Sequence, residues 1–554
     1  MILNVDITEK SFGDKQLYHE LAFTLAAGEK VGLIGRNGTG KSTLLHMITG
    51  DDRDYQGDIT LKRGTILIAS RQEHHGHEDK TVLDYIQGDL PEFAELHHII
   101  TTYPATMGDN QRKLQRYSDA LERFSQLNYF QTEDELTQMF ADYQLPAEKL
   151  EVPLDTLSGG QKRMVELVKV QRAKAHLALI DEPTNHMDYR AKESFIKWLK
   201  AAQEAIVVIT HDRDVLREVD KIIEIRNGQA YTFRGNYEQY LSINKNQVTA
   251  QVNEYDLTQR RISNLGEDLI RFRRMKEKAH DPGTVKRFKS QEMKVAAELR
   301  RLSAIKQPSF WIDRENADDL NPKMTNAYQK YKAKNIRMTA KTDDSRSSQM
   351  LVQAHELSLG YGDSPLFAGV DFTLREGERI RLHGRNGAGK TTLVNAIMAK
   401  VHDLPQESNV FGGTLAVAKE LALGLYEQEI DPKYLPMTLH DGIEQSFRDK
   451  GLPLNDQKIK QLMGEYLFNP ASDGDVPINM LSGGQKARFQ LIRMLMNDPS
   501  ILILDEPTNH LDLPSIEELE NTLSTYQGAV IYISHDSYFA KKVGGETVQI
   551  GTAT

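Results

Sequence analysis

The 554-residue sequence contains no cysteine. That excludes disulfides, zinc held by cysteine and cysteine-ligated iron–sulfur clusters, and it suits a reducing cytoplasm. No run of 18 apolar residues occurs, so no helix is expected to span a membrane. The opening residues, Met1-Ile2-Leu3-Asn4-Val5-Asp6, carry an early acid and no basic stretch, so no signal peptide is expected. The composition is 39% hydrophobic and 27% charged, that of a globular chain able to bury several cores. At about 150 residues per domain, the length suggests three or four domains.

The net charge is −10, but it is unevenly spread. Residues 271–301 hold eleven Lys/Arg against four acids, a local charge of +7 on a body of −17. A basic patch on an acidic chain points to one place where a polyanion is met.

The dominant feature is an internal repeat. Gly35-Arg36-Asn37-Gly38-Thr39-Gly40-Lys41-Ser42 returns as Gly384-Arg385-Asn386-Gly387-Ala388-Gly389-Lys390-Thr391. Both match the phosphate-binding loop pattern: two glycines with four residues between them, then Lys and Ser or Thr. Each follows a β-like segment (Val31–Ile34, Ile380–His383) and opens into a helix start. Glycines let backbone N–H groups close around phosphate oxygens, and the helix N-terminus adds positive potential. Lys41 and Lys390 reach β and γ phosphates, while Ser42 and Thr391 offer a hydroxyl to Mg²⁺.

Leu157-Ser158-Gly159-Gly160-Gln161 returns as Leu481-Ser482-Gly483-Gly484-Gln485, and Leu177–Thr184 as Ile501–Thr508. The latter read as buried parallel strands delivering carboxylates at their C-terminal ends. Asp181 and Asp505 are placed to orient Mg²⁺ through water, and Glu182 and Glu506 to polarise the attacking water. A third strand, Ala205–Thr210, ends at His211, and its counterpart, Ala529–Ser534, at His535. Groups at the C-terminal ends of parallel strands share one crevice.

Registers bind the copies together. Signature serine to aspartate is 23 residues in both (158→181, 482→505), and aspartate to histidine is 30 (181→211, 505→535). Phe12 and Tyr361 each lie 29 residues before the loop lysine; adenine stacking and ordinary strand packing both account for them. Gln72 and Gln428 are positioned either to contact Mg²⁺ and water or to face solvent.

These motifs resemble ATP-binding cassette domains over residues 2–240 and 350–552. The resemblance implies an α/β fold of two P-loop cassettes binding ATP and Mg²⁺. In that family the phosphate loop, carboxylates and switch histidine of one cassette face the signature of the other. Lys41, Asp181, Glu182 and His211 would then pair with Ser482–Gln485, and Lys390, Asp505, Glu506 and His535 with Ser158–Gln161. Because both glutamates, lysines and histidines are present, two hydrolytic sites are expected.

Asp181-Glu182-Pro183-Thr184-Asn185-His186-Met187-Asp188 and Asp505-Glu506-Pro507-Thr508-Asn509-His510-Leu511-Asp512 carry Asn-His after Pro-Thr. This is similar to the ABC-F family, whose tandem cassettes lack a transmembrane domain; Met187 departs from the usual Leu. The expected division is cassette 1 over 1–241 with a helical arm at about 90–130, a hairpin linker over 242–349, and cassette 2 over 350–554. Within the linker, Ile262, Leu265, Leu269 and Phe272, then Val295, Leu299 and Leu302, repeat at helical spacing around Asp281-Pro282-Gly283. Two antiparallel helices are predicted, the first over 245–278 and about 50 Å long. The ABC-F resemblance implies that this hairpin enters the ribosomal tRNA exit site, with Arg271, Arg273, Arg274, Lys276, Lys286, Arg287 and Lys289 on phosphates of rRNA or tRNA. A solvated spacer is the competing reading. Phe288 would stack on a base or pack on Met275 or Phe272.

The glutamine-to-serine stretch is 86 residues in the first copy and 54 in the second, so the arm adds about 32. It resembles the family's arm, which touches ribosomal protein near the E site; an enlarged subdomain without a partner is the alternative. Pro308–Ile312 reads as a short strand or packed extended piece, Tyr328–Asn335 as polar and basic, and Lys341–Ser348 as a flexible joint. The chain stops at Thr554, so the C-terminal coiled coil of some relatives is not expected. The implied function is a cytoplasmic ribosome-associated ATPase acting on translation at the E site of the 70S ribosome. It would be a monomer with intramolecular cassette pairing and no membrane contact, serving antibiotic resistance by ribosome protection or a housekeeping role. A transporter's ATP-binding subunit is the competing class and leaves the basic hairpin without a task. DNA-repair cassettes would need zinc cysteines.

Overall fold

A computed structural model describes residues 1–551 except 14, 72, 73, 75, 107, 109, 186, 304–335, 337, 339–348, 420, 428 and 454. The described residues form two compact units, 1–237 with 336–554, and 238–335. The readings of Pro308–Ile312, Tyr328–Asn335 and Lys341–Ser348 lie outside the described residues, as do Gln72 and Gln428.

Each half of the first unit pairs a small antiparallel sheet with a mostly parallel one. In the first half, β1 (Leu3–Phe12), β2 (Lys15–Leu25) and β4 (Gln56–Leu61) make the antiparallel sheet, ordered β2-β1-β4. The main sheet runs β5-β6-β7-β3-β8-β9. Its strands are β3 (Lys30–Gly35), β5 (Leu67–Ala69), β6 (Leu177–Asp181), β7 (Ala205–Ile209), β8 (Lys221–Arg226) and β9 (Gln229–Arg234), of which only β9 is antiparallel. The second half repeats this with β10 (Met350–Tyr361), β11 (Ser364–Arg375) and β13 (Asn409–Val417) in the order β11-β10-β13. Its parallel sheet, β14-β15-β16-β12-β17, comprises β12 (Arg379–His383), β14 (Leu423–Tyr426), β15 (Ile501–Asp505), β16 (Ala529–Ile533) and β17 (Glu546–Gln549). Every residue of β6, β7, β15 and β16 is buried, as expected of strands covered on both faces.

The arm is a pair of helices, Phe93–Thr106 and Gln111–Gln126. Asn110 caps the second by accepting from the Arg112 and Lys113 N–H groups. Phe93, Phe124 and Tyr129 pack ring to ring between them, with centroids 5.2–5.5 Å apart. Ile336 and Met338 are buried in the hydrophobic core of the second half.

The second unit is a two-helix hairpin. Its first helix, Tyr237–Lys278, begins eight residues earlier than predicted and is about 63 Å long at about 1.5 Å per residue. Its second is Pro282–Ser303. The expected Asp-Pro-Gly turn is tighter than the sequence suggested. Pro282 is already helical, because a missing N–H costs nothing in a first turn, and Asp281 accepts from the Thr284 N–H at 2.7 Å. Ile262, Leu269, Phe272, Val295, Leu299 and Leu302 are half-buried, whereas Leu265 is fully buried. Arg261 reaches Glu298 and Arg273 reaches Glu292 across the pair, at 3.1 and 3.0 Å.

Candidate functional site

Both phosphate loops connect a parallel strand to a helix. Gly40 and Gly389 end them in left-handed backbone, φ 94° and 96°, just before helices Lys41–Thr49 and Lys390–Val401. A side chain there would be strained and would also strike Tyr18 in one copy and Phe367 in the other. Lys41 Nζ donates to the Gly35 and Arg36 carbonyls at 2.7 and 3.2 Å. Lys390 does the same to Gly384 and Arg385 at 2.8 and 2.9 Å. Thr391 Oγ1 donates to Asp505 Oδ2 at 2.9 Å, bringing one hydroxyl and one carboxylate together.

The signature segments start helices Gly159–Ala173 and Gly483–Leu495, each through a capping box. The Ser158 and Ser482 hydroxyls accept from the Gln161 and Gln485 N–H groups, and the glutamine side chains accept from the serine N–H. Both side chains of each box are thus engaged in capping, and the serines and glycines also border open space.

That space is composite. One cavity of about 450 Å³ is lined by Lys41, Ser42, Asp181, Glu182 and His211 of the first half and by Ser482, Gly483 and Gly484 of the second. Its counterpart, about 480 Å³, joins Lys390, Thr391, Asp505, Glu506 and His535 to Ser158, Gly159 and Gly160. Asn37, Gly38 and Gly40, and Asn386, Gly387 and Gly389, complete the two walls. Gly35, Arg36, Thr39, Gly384, Arg385 and Ala388 are not among the lining residues; Arg36 reaches toward Asp512, and Arg385 donates to Gln144, each in the other cassette. Phe12 and Tyr361, 53% and 48% exposed, lie outside the lining, and the Lys10 ammonium sits over the Phe12 ring, 4.7 Å from its centroid.

Asp188 and Asp512 carry a role that motif reading left unassigned. Asp512 uses Oδ1 to cap its own helix at Ser515 N and Oδ2 to accept from Asn37 N of the other half, both at 3.1 Å. Asp188 likewise caps Ala191 N at 3.0 Å and accepts from Asn386 N at 3.2 Å. Their identical register, seven residues after Asp181 and Asp505, was the available signal. Gly484 approaches Asn37 so closely that an added Cβ would lie 2.0 Å from its amide nitrogen.

Electrostatics follow from burial. Glu182 and Glu506 sit in left-handed backbone, φ 46° and 48°. Burial, then the neighbouring aspartates, push both carboxyls up, that of Glu506 to about 8. Burial, then Lys41 or Lys390, hold His211 and His535 neutral, at about 3. These histidines stand 3.6 and 3.5 Å from the two glutamates, and neither ring has a hydrogen-bonded nitrogen. Burial also lowers Lys41 and Lys390. Neutral imidazoles with open nitrogens, hydroxyl and carboxylate oxygens, and glycine-lined walls fit a polyphosphate with a hard divalent cation.

The hairpin's basic residues divide into two groups. Arg271 pairs with Asp268, and Arg273 and Lys276 with Glu292. Arg274, Lys286, Arg287 and Lys289 are exposed and make no ion pair among the described residues. Phe288 lies 6.5 Å, ring to ring, from Phe272. The described residues include no helix long and apolar enough to cross a membrane.

Twin P-loop sheets, each with its signature helix, define a tandem ATP-binding cassette protein. The family model described as "ABC transporter" matches residues 18–185 and 367–509. The chain belongs to this ABC family and, within it, to the ABC-F branch. It is 28% identical over 536 residues to the ribosome protection protein VmlR of Bacillus subtilis, covering 96% of this chain and 83% of VmlR. ABC transporter F family member 5 of Arabidopsis thaliana is 28% identical over 551 residues, 98% of this chain and 74% of that protein. In fold the chain is similar to the archaeal ribosome recycling factor aABCE1, solved in complex with the stalk protein aP1. The TM-score is 0.55 at 16% identity, over 99% of this chain and 90% of that one. Cassettes of this family hydrolyse ATP.

Proposed function

We propose that the protein is a cytoplasmic ABC-F ATPase that clamps two ATP molecules between its cassettes, docks on the 70S ribosome at the E site and protects translation from an antibiotic. The observation carrying this reading is the pair of composite cavities, each walled by the phosphate loop of one half and the signature of the other. In this reading 1–241 and 350–554 are the engines, 242–349 is the effector and the chain acts as a monomer. Lys41 and Lys390 hold phosphate oxygens; Ser42, Thr391, Asp181 and Asp505, with Gln72 and Gln428, hold Mg²⁺. Mg²⁺ neutralises charge on the β and γ phosphates. Phe12 and Tyr361 stack on adenine. Ser158–Gly160 and Ser482–Gly484 offer helix-start N–H groups to the far phosphate. Glu182 and Glu506, in their ionised form, polarise the attacking water and take its proton, and His211 and His535 orient it. ATP thereby favours the closed cassette pair, and hydrolysis releases it.

Arg274, Lys286, Arg287 and Lys289, without ion pairs among the described residues, are the leading contacts to rRNA or tRNA phosphates; Arg271, Arg273 and Lys276 must exchange an acid for RNA. The ribosome-protection role named for VmlR supports the resistance branch over a housekeeping one. The test is cosedimentation with 70S ribosomes in ATP after Glu182→Gln and Glu506→Gln together. The double variant should be trapped on ribosomes, and reversing Arg274, Lys286, Arg287 and Lys289 to Glu should release it. A variant that stays in the supernatant overturns the reading. Expression in a sensitive host should raise resistance to a lincosamide, pleuromutilin, streptogramin or phenicol; unchanged susceptibility to all four removes the protection branch.

A further inference from the structure

The interface between the cassettes is not symmetric where the two switch histidines meet. Lys192 lies in helix Tyr189–Ala201, four residues after Asp188, and is buried. Its ammonium contacts Asp212 at 2.8 Å, Asp214 at 2.6 Å and, across the interface, the backbone carbonyl of His535 at 3.2 Å. Its three N–H donors are thereby occupied. Asp214 extends the link by accepting from Ser537 Oγ of the second cassette at 2.6 Å. The same carbonyl-bearing loop presents the buried imidazole that faces Glu506 at 3.5 Å.

None of this can form on the other side. The residue four after Asp512 is Ile516, buried and apolar, and the counterparts of Asp214 and Ser537 are Tyr538 and Arg213. There the contact is a salt bridge instead, Arg213 to Glu520 at 2.8 Å, made one turn along the helix from Ile516. The loop bearing His211 therefore meets a hydrocarbon where the loop bearing His535 meets an ammonium.

We propose that Lys192 is a positioning residue acting in trans: it seats the His535 loop against Glu506 once the cassettes close, so that the cavity built on Lys390 turns over faster than the cavity built on Lys41. The inference rests on the reading of both cavities as ATP sites. It follows from geometry, because a catalytic group held by a partner that exists only in the closed pair is set by closure itself. The loop bearing His211 is instead tied across the interface through Arg213, two residues beyond the histidine, rather than at the histidine itself.

The test is steady-state ATP turnover by the full chain. Glu506→Gln should remove about threefold more of the turnover than Glu182→Gln. Lys192→Gln should slow the Lys390 cavity about tenfold, and so lower kcat of the otherwise wild-type chain about threefold, while KM for ATP stays within about twofold, because the residue orients rather than binds. Its effect should be about fivefold larger in the Glu182→Gln background, where only the Lys390 cavity is intact, than in the Glu506→Gln background. Lys192→Arg, which keeps the charge and the donors, should restore at least about half of kcat. Should Lys192→Gln not fold, Ser537→Ala loosens the link from the exposed end by removing its bond to Asp214 and should lower kcat about twofold with the same background dependence. Equal losses in the two backgrounds, a matched rise in KM, or no rescue by arginine would overturn the inference. A wild-type chain without ATP turnover, or one indifferent to both glutamine variants, would instead sink the reading of the cavities.

Discussion

In the first cassette, the backbone just after β5 is held to the signature helix by ions; in the second, the backbone just after β14 is held by a neutral amide. Glu166 and Gln490 both stand eight residues after the signature serine. Glu166 accepts from the Arg71 N–H at 2.7 Å, contacts His74 at 2.9 Å and Lys169 at 2.8 Å, and accepts from the Tyr85 hydroxyl. Lys169 also reaches Asp89 at 3.0 Å. Gln490 makes the same bridge by donating to the Glu427 carbonyl and accepting from its N–H. The repeat has thus kept the geometry that joins the segment after this strand to the signature helix, while changing what holds it. Burial works to raise the Glu166 carboxyl, but Lys169 and three hydrogen bonds outweigh it and keep it at about 2.

Breaking the ionic anchor should have the largest effect. Lys169→Met strands a fully buried carboxylate and should destabilise the first cassette by about 3–5 kcal/mol, read from its transition in urea. The counterpart Arg493→Met should cost only about 1 kcal/mol, since Arg493 sits 3.8 Å from a Glu427 side chain that is 38% exposed. The pH response sharpens the same contrast. A carboxyl held below its unfolded value contributes stability that is present above about pH 4.5 and lost as pH falls toward 2. Melting curves of Glu166→Gln should therefore lose part of the acid-side decline of the wild type, while Gln490→Glu should acquire a pH dependence. At the cavity wall, Gly484→Ala should lower ATP turnover about tenfold, about 1.4 kcal/mol in the barrier, because the new methyl must displace Asn37. The smallest effect belongs to the hairpin: Arg261→Ala removes an exposed ion pair and should change the melting free energy by less than about 1 kcal/mol.

Much of the cassette architecture was legible because it is local. A phosphate loop is eight consecutive residues whose glycines and lysine do their work within one turn, and the capping boxes at Ser158 and Ser482 span three residues. Strands β6 and β15 announce themselves as apolar runs ending in paired acids. The hairpin was legible from its stripe, though not its tip, where the capping carboxylate of Asp281 let Pro282 enter the helix. The glutamines of the signatures were read toward nucleotide, whereas their side chains close the caps. Lys192, Asp188 and Asp512 gave little sign of their partners, since a lysine in a helix usually faces solvent.

Local chemistry written in order along the chain settled that there are two P-loop cassettes, which residues line each phosphate loop and that a basic helical hairpin separates them. The meeting of Asn37 with Asp512, Asn386 with Asp188 and Lys192 with His535 was decided only when the halves docked. Those pairs lie hundreds of residues apart, and no periodicity or short motif encodes a contact whose partners are selected by the burial of two complementary surfaces.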